Sequence, residues 1–161
     1  MESIITIATV LTMYFNAAND VNAPYLYNSD LEDGVIHKIE VYEQKADNQI
    51  CAKMEYRYEY DELGRLTTRE IVRWDSEKQT WVNDVRHTYK YYKNGYKLEI
   101  SKWDVKQQAY DLPSEVTLYR EVASMTSVKT YKMNAAKNDM YLVNSLLCLE
   151  PFEIFSDRLF A

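Results

Sequence analysis

A short motif built on tyrosine, aspartate and glycine returns after about thirty residues, and this recurrence limits the fold more than any other feature of the chain. Tyr58-Glu59-Tyr60-Asp61-Glu62-Leu63-Gly64-Arg65-Leu66 leads to Trp74-Asp75 and then Trp81. Tyr89-Lys90-Tyr91-Tyr92-Lys93-Asn94-Gly95-Tyr96-Lys97 leads in turn to Trp103-Asp104 and then Tyr110. The two glycines stand 31 residues apart and the two Trp-Asp pairs 29. A worn copy runs through Tyr119, Tyr131-Lys132-Met133-Asn134 and Tyr141. A half copy precedes them all, with Glu40-Val41-Tyr42 in the place of Trp74 and Ile50 in the place of Trp81. Units of this size cannot bury an apolar face alone and must stack on their neighbours.

Within the repeat the period is two. From Ile50 to Asp61, Ile50, Ala52, Met54, Tyr56, Tyr58 and Tyr60 fall on one side, and Cys51, Lys53, Glu55, Arg57, Glu59 and Asp61 on the other. That alternation predicts a strand with one covered and one wet face, and excludes a helix, around which these apolar residues would scatter. Glu62-Leu63-Gly64 and Lys93-Asn94-Gly95 predict hairpin turns, because glycine takes the positive φ that a short loop needs. Ser76 to Gln79 and Val105 to Gln108 are polar loops of hairpin length. Pro113 cannot donate to a ladder, so its strand should bend or go unpaired there.

Loops this short join antiparallel neighbours only, since a parallel return needs a crossover of a dozen residues or more. The expected fold is therefore all-β, an antiparallel up-and-down meander of about eight strands built from hairpin repeats. The repeat suits an open curved sheet, with a closed barrel as the alternative. At 161 residues there is room for one domain with a real core. Residues 34–147 are assigned to this β-hairpin repeat domain. Residues 148–161, with Pro151, Phe152, Ile154, Phe155 and Phe160, are an apolar C-terminal tail that could cover one end of the array.

The N-terminus is different. Ile4 to Phe15 is an apolar run too short to span a bilayer as a helix. Its length, and the switch to polar residues at Asn16, suit a secretory signal over residues 1–18. A buried first strand is the alternative, given its Ile, Thr and Val. Residues 19–33 are read as a linker or disordered lead-in. The chain is then exported to the periplasm, cell surface or medium, with no transmembrane span left in the mature form. Cys51 and Cys148 are too far apart in sequence for a CxxC redox or zinc motif. In an open meander six strand steps separate them by roughly 29 Å, while a disulfide needs α-carbons within about 7 Å, so no bond between them is expected.

Tyr58 to Thr67 resembles the consensus of a YD repeat, the hairpin unit of bacterial Rhs-type shell proteins. From about Gly34 to Asn144 the chain is more closely similar to a family of small exported proteins of Bacteroides-type gut bacteria, domain of unknown function 3836. The shared features are the signal-like start, the Tyr-x-Tyr-Asp-x-x-Gly-Arg hairpin, two Trp-Asp turns and an aromatic residue after each. The resemblance implies an exported bacterial β-protein and carries no activity, cofactor or catalytic residue.

Little in the chain points to chemistry. The net charge of −6 comes from interspersed acids and bases, which argues against a nucleic-acid partner, whose binders gather Lys and Arg on one face. His37 and His87 have no cysteine or carboxylate at ligand spacing, so no metal site is expected. Three glycines leave no phosphate-binding loop, and no cofactor is expected. Asp61, Asp75 and Asp104 recur beside aromatic residues where turns begin, and there an Asp side chain caps loop amides. A rival reading makes Asp75 and Asp104 the acids of a hydrolase, but two strand spacings hold them near 10 Å, a little beyond the range of an inverting pair.

The aromatic stripe carries two readings. Tyr56, Tyr58, Tyr60, Tyr89, Tyr91, Trp74, Trp81, Trp103 and Tyr110 can meet across strands, where such pairs contribute about 0.2–1 kcal/mol each. Alternatively Trp74, Trp81, Trp103 and Tyr110 form an aromatic row for sugar rings. The expected function is thus a non-catalytic β-repeat module for binding or surface assembly, with a glycan or another surface protein as partner.

Overall fold

The computed structural model of the chain describes residues 4–20, 23–45, 49–134, 136 and 138–149. Helix α1 (Ile7–Ala18) precedes ten strands: β1 (Tyr25–Glu32), β2 (Val35–Gln44), β3 (Ile50–Tyr60), β4 (Leu66–Asp75), β5 (Thr80–Tyr92), β6 (Gly95–Asp104), β7 (Ala109–Tyr110), β8 (Glu115–Val122), β9 (Met125–Asn134) and β10 (Asp139–Leu149). The sheet runs β1-β2-β3-β4-β5-β6-β8-β9-β10 with every neighbour antiparallel, and β7 pairs with β6 beside it. The meander expected from the short loops is therefore the fold, and it is the open sheet and not the barrel.

Two strands exceed the expected number. Residues 19–33, read as a linker, contain β1. Its Tyr25, Tyr27 and Ser29 turn inward while Leu26, Asn28 and Asp30 face water, so only three inward side chains signal the strand. The strand holding Pro113, expected to bend or go unpaired there, is split in two, because Pro113 falls between β7 and β8. Ser114 restores the ladder there, its backbone N–H donating to the Ile100 carbonyl at 2.8 Å. At the other end β10 continues to Leu149, so Cys148 and Leu149, assigned to the tail, belong to the sheet, and the rest of that tail lies outside the described residues.

The N-terminal run is a helix and not the buried strand. Thr6 and Thr9 cap it reciprocally: the Thr9 N–H donates to Thr6 Oγ1 at 3.4 Å, and the Thr6 N–H to Thr9 Oγ1 at 3.3 Å. Two further bonds tie its start to the hairpin between β3 and β4. The Ile7 N–H donates to the Gly64 carbonyl at 3.0 Å, and the Leu66 N–H to the Ile5 carbonyl at 2.8 Å. Val10 is thereby pressed onto Ile36, Ile39 and Val41, with Tyr27, Met54, Tyr56 and Tyr60 around them. Full burial of a valine contributes about 1.5–3 kcal/mol. The helix has 12 residues, and among the described residues no helix is long and apolar enough to cross a membrane.

The hairpin turns follow their chemistry. Gly95 has φ 135°, and a Cβ there would lie 1.9 Å from the Tyr119 carbonyl oxygen, so this site where β6 meets β8 accepts only glycine. Both cysteine thiols are free, Cys51 on β3 and Cys148 on β10, six steps apart in the sheet.

Candidate functional site

The face of the sheet opposite α1 carries every aromatic residue singled out as a binding candidate. Strand register places Trp74 directly across from Trp81 on β4 and β5, and Trp103 across from Tyr110 on β6 and β7. The first pair has ring centroids 5.1 Å apart at 69°, the second 4.9 Å apart at 74°. Both are edge-to-face, the arrangement the ring quadrupole favours. The four rings are half-buried, so each packs on its neighbour and keeps some surface toward solvent. They are two ridges and not one flat plate. Trp74 also walls an open groove of about 550 Å³ shared with Glu43, Lys53, Ser76 and Gln79.

A grid of charges lies beside the aromatic pairs. In one row of the register Lys38, Arg57, Glu70, Arg86 and Ser101 stand opposite one another across β2 to β6. Arg86 donates to Glu70 Oε1 through both Nε (2.9 Å) and Nη2 (2.6 Å), and its guanidinium lies 3.9 Å from the Tyr110 ring centroid. In the next row Asn28, Glu40, Glu55 and Val72 are neighbours. Glu55 is only 4% exposed, on the side of β3 expected to be wet, because the neighbouring Arg57 covers it and donates to it at 2.5 Å. Glu40 accepts from Tyr42 (2.9 Å) and Asn28 (3.2 Å), and these hydrogen bonds, with the Lys38 charge, hold its carboxyl below the usual range. Burial, and then the Glu70 carboxylate, push the Tyr110 phenol up to about 12; its shielded hydroxyl feels that charge without a well-aligned hydrogen bond.

The sequence reading missed this grid. Counting back in twos from Trp74 reaches Val72 and Glu70, so the signal was present, but which acids meet which bases depends on the register of five strands.

The turn aspartates serve structure. Asp75 Oδ1 accepts the N–H groups of Glu77 (3.0 Å) and Lys78 (3.1 Å), and Asp104 Oδ1 those of Lys106 (2.7 Å) and Gln107 (3.1 Å). Asp61 likewise accepts from Leu63 and Arg65. Hydrogen bonds from Lys78 hold the Asp75 carboxyl low, which suits a fixed anion and not a general acid. A partner device went unnoticed in the sequence: Gln79 and Gln108, each four residues after its Asp, both take φ 51° and return their side-chain amides to the carbonyls of Ser76 and Val105.

The tyrosines of the motif are staples on the other face or at its margin. The Tyr60 hydroxyl donates to the Ile36 carbonyl at 2.9 Å, and the equivalent Tyr91 hydroxyl to the Leu66 carbonyl at 2.6 Å. His87 stands opposite Arg69, and burial with that guanidinium lowers its pKa; His37 sits edge-on to Tyr60. No group of three His, Cys, Asp or Glu poised to hold a metal ion occurs among the described residues.

Three solved structures share this architecture. A protein of unknown function from Bacteroides fragilis superposes with a TM-score of 0.67 at 24% identity, covering 81% of this chain and 94% of its own. A DUF3836 family protein from Bacteroides vulgatus gives 0.54 at 24%, covering 66% and 98%. Another, from Parabacteroides distasonis, gives 0.50 at 28%, covering 55% and 82%. No curated protein matches the chain. Residues 1–121 match the family described as Family of unknown function (DUF3836), and the chain belongs to that family.

Proposed function

We propose that this is an exported, non-catalytic binding module that holds an extended polysaccharide along the face bearing Trp74, Trp81, Trp103 and Tyr110. The observation that carries the reading is the return of an aromatic pair, each with its Asp-capped turn, at equivalent places two strands apart on one face. Partly exposed rings stack on sugar faces by dispersion, weakly per contact, so a row of them favours long chains over single sugars. Arg86 and Glu70, fixed against each other beside Tyr110, supply donors and acceptors for hydroxyl groups. Their mutual pairing suits holding a ligand more than moving a proton.

Export rests on the apolar run ending at Phe15 and the polar stretch after it. Mass spectrometry of protein secreted by a native-like host should find an N-terminus beyond Ala18; an intact Met1 or Glu2 on the secreted chain refutes it. Polysaccharide binding is tested on a glycan array followed by tryptophan fluorescence titration. Polymers should bind, monosaccharides should not, and Trp81→Ala with Trp103→Ala should weaken binding at least tenfold while circular dichroism stays native. Binding that survives the double substitution, or no binding at millimolar sugar, discards the reading.

A further inference from the structure

The last strand of the sheet has the composition of an interior strand and the position of an edge. Among the described residues β10 pairs with β9 alone, so its outer side presents a row of backbone N–H and C=O groups with no neighbouring strand. From Met140 to Leu149 it carries no charged residue. Tyr141, Leu142, Val143, Leu146, Leu147 and Leu149 are between 43% and 76% exposed. Edge strands are normally guarded by charge, proline or a cover, and a bare apolar one is a template for another strand.

The opposite edge is guarded. β1 carries Asp30 and Glu32, charges that guard it whether or not α1 is present. That asymmetry selects the occupant. Stacking β10 of one copy on β1 of the next would add copies without end and set acids beside leucines. Pairing β10 with β10 about a two-fold axis closes after one step. Net charge −6 opposes contact between copies over most of the surface, but the uncharged stretch from Met140 lets two copies meet without repulsion.

We propose that β10 is a dimerisation edge, docking antiparallel on β10 of a second copy to make one continuous sheet. A register irregularity interrupts the ladder between Leu142 and Asn144, so the regular stretch from Asn144 to Leu149 does the pairing and the two-fold axis falls at Leu146 or Leu147. Residues directly opposite share a face, so leucines meet leucines or small neutral residues on both sides of the new sheet. So short an edge buries less than the roughly 800 Å² per partner of a standard interface, which places the dimer among weak, concentration-dependent associations. This inference goes beyond the polysaccharide reading and does not depend on it, because the aromatic pairs lie on β4 to β7.

Sedimentation velocity of the full chain, carried to the high concentrations a weak interface requires, should show passage from monomer to dimer and no further. Leu146→Lys with Leu147→Lys should weaken the dimer at least tenfold, whereas Leu26→Lys on β1 should leave it unchanged. A second readout does not depend on those variants folding. With the axis at either leucine, the two Cys148 thiols lie within about 15 Å, so a flexible bis-maleimide of that reach should join two copies of Cys51→Ser protein into a covalent dimer. A monomer at every concentration overturns the proposal, including the case where ending the chain at Leu149 creates a dimer and so reveals residues 150–161 as the occupant. Oligomers larger than two, or dimers insensitive to the β10 lysines and sensitive to Leu26→Lys, overturn it as well.

Discussion

The two ends of this sheet are made from the same hairpin unit and meet water on different terms. At the β1 end a helix lies across one face, and its Val10 and the Ile36, Ile39 and Val41 beneath it are almost fully buried. At the β10 end every residue from Tyr141 to Leu149 is exposed. A single-layer sheet must find a cover for its apolar face or dilute it with polar groups. The first end has a helix, the centre has tyrosines, salt bridges and stacked aromatic pairs, and the last end has uncharged leucines. The difference teaches that the repeat specifies strand and turn, while whatever flanks it decides whether a strand is finished.

The largest expected effect falls where the two ends join. Gly95→Ala places a methyl group 1.9 Å from the Tyr119 backbone at an unfavourable φ, and should cost about 3 kcal/mol or more. Urea denaturation is expected to show separate melting of the β8–β10 end; a single unshifted transition would mean the ends do not depend on this junction. Next comes the covered end itself. Ile36→Ala should cost about 2–5 kcal/mol, whereas Leu146→Ala in dilute solution should stay within about 0.5 kcal/mol. Equal losses at the two sites would erase the contrast. Repeating Ile36→Ala on a chain that begins after Ala18 sharpens it, since without α1 the cost should fall sharply.

Smaller effects probe the staples in between. Tyr60→Phe and Tyr91→Phe each remove one hydroxyl-to-carbonyl bond and should cost about 1 kcal/mol apiece, read by thermal melting. Smallest at neutral pH is the phenol titration. Burial pushes Tyr58, Tyr91 and Tyr110 up to about 12, with Glu70 adding to the effect at Tyr110. A folded-state pKa above the unfolded value near 10 means the folded form holds its proton more tightly. That stability is complete below pH about 10 and drains away as pH rises through about 12. Absorbance at alkaline pH should show a late tyrosinate phase that loses one member in Tyr110→Phe. A single phase near pH 10 in folded protein would contradict the burial of these rings.

Much of the architecture was legible because its causes are local. Asn94-Gly95 and Leu63-Gly64 mark turns by φ, Asp75 and Asp104 mark loops by the amides they cap, and the period of two marks β3 over its whole length. The pairing of Trp74 with Trp81 and of Trp103 with Tyr110 was implied by their common place in the repeat. β1 was illegible because Tyr25, Tyr27 and Ser29 are too few and too mixed to signal a covered face. The helical state of α1 was hidden by its β-branched residues, and it rests on the Thr6 cap and on bonds to Gly64 and Leu66, distant in sequence. The charged half of the candidate site was hidden for a similar reason: Arg86 and Glu70 are unremarkable until β4 and β5 are set in register.

By itself the sequence determined a tandem of antiparallel hairpins, because turn geometry and side-chain alternation act within about thirty residues and repeat. The tertiary structure decided that the sheet stays open, because closure depends on tilt and stagger summed over every strand and no single hairpin holds that sum. It also decided that α1 covers β1 to β3 and leaves the opposite face to the aromatic pairs and their charges, and that Glu55 is buried while Leu147 is not. Those outcomes depend on which surface arrives beside which, a property of the assembled sheet and not of any segment within it.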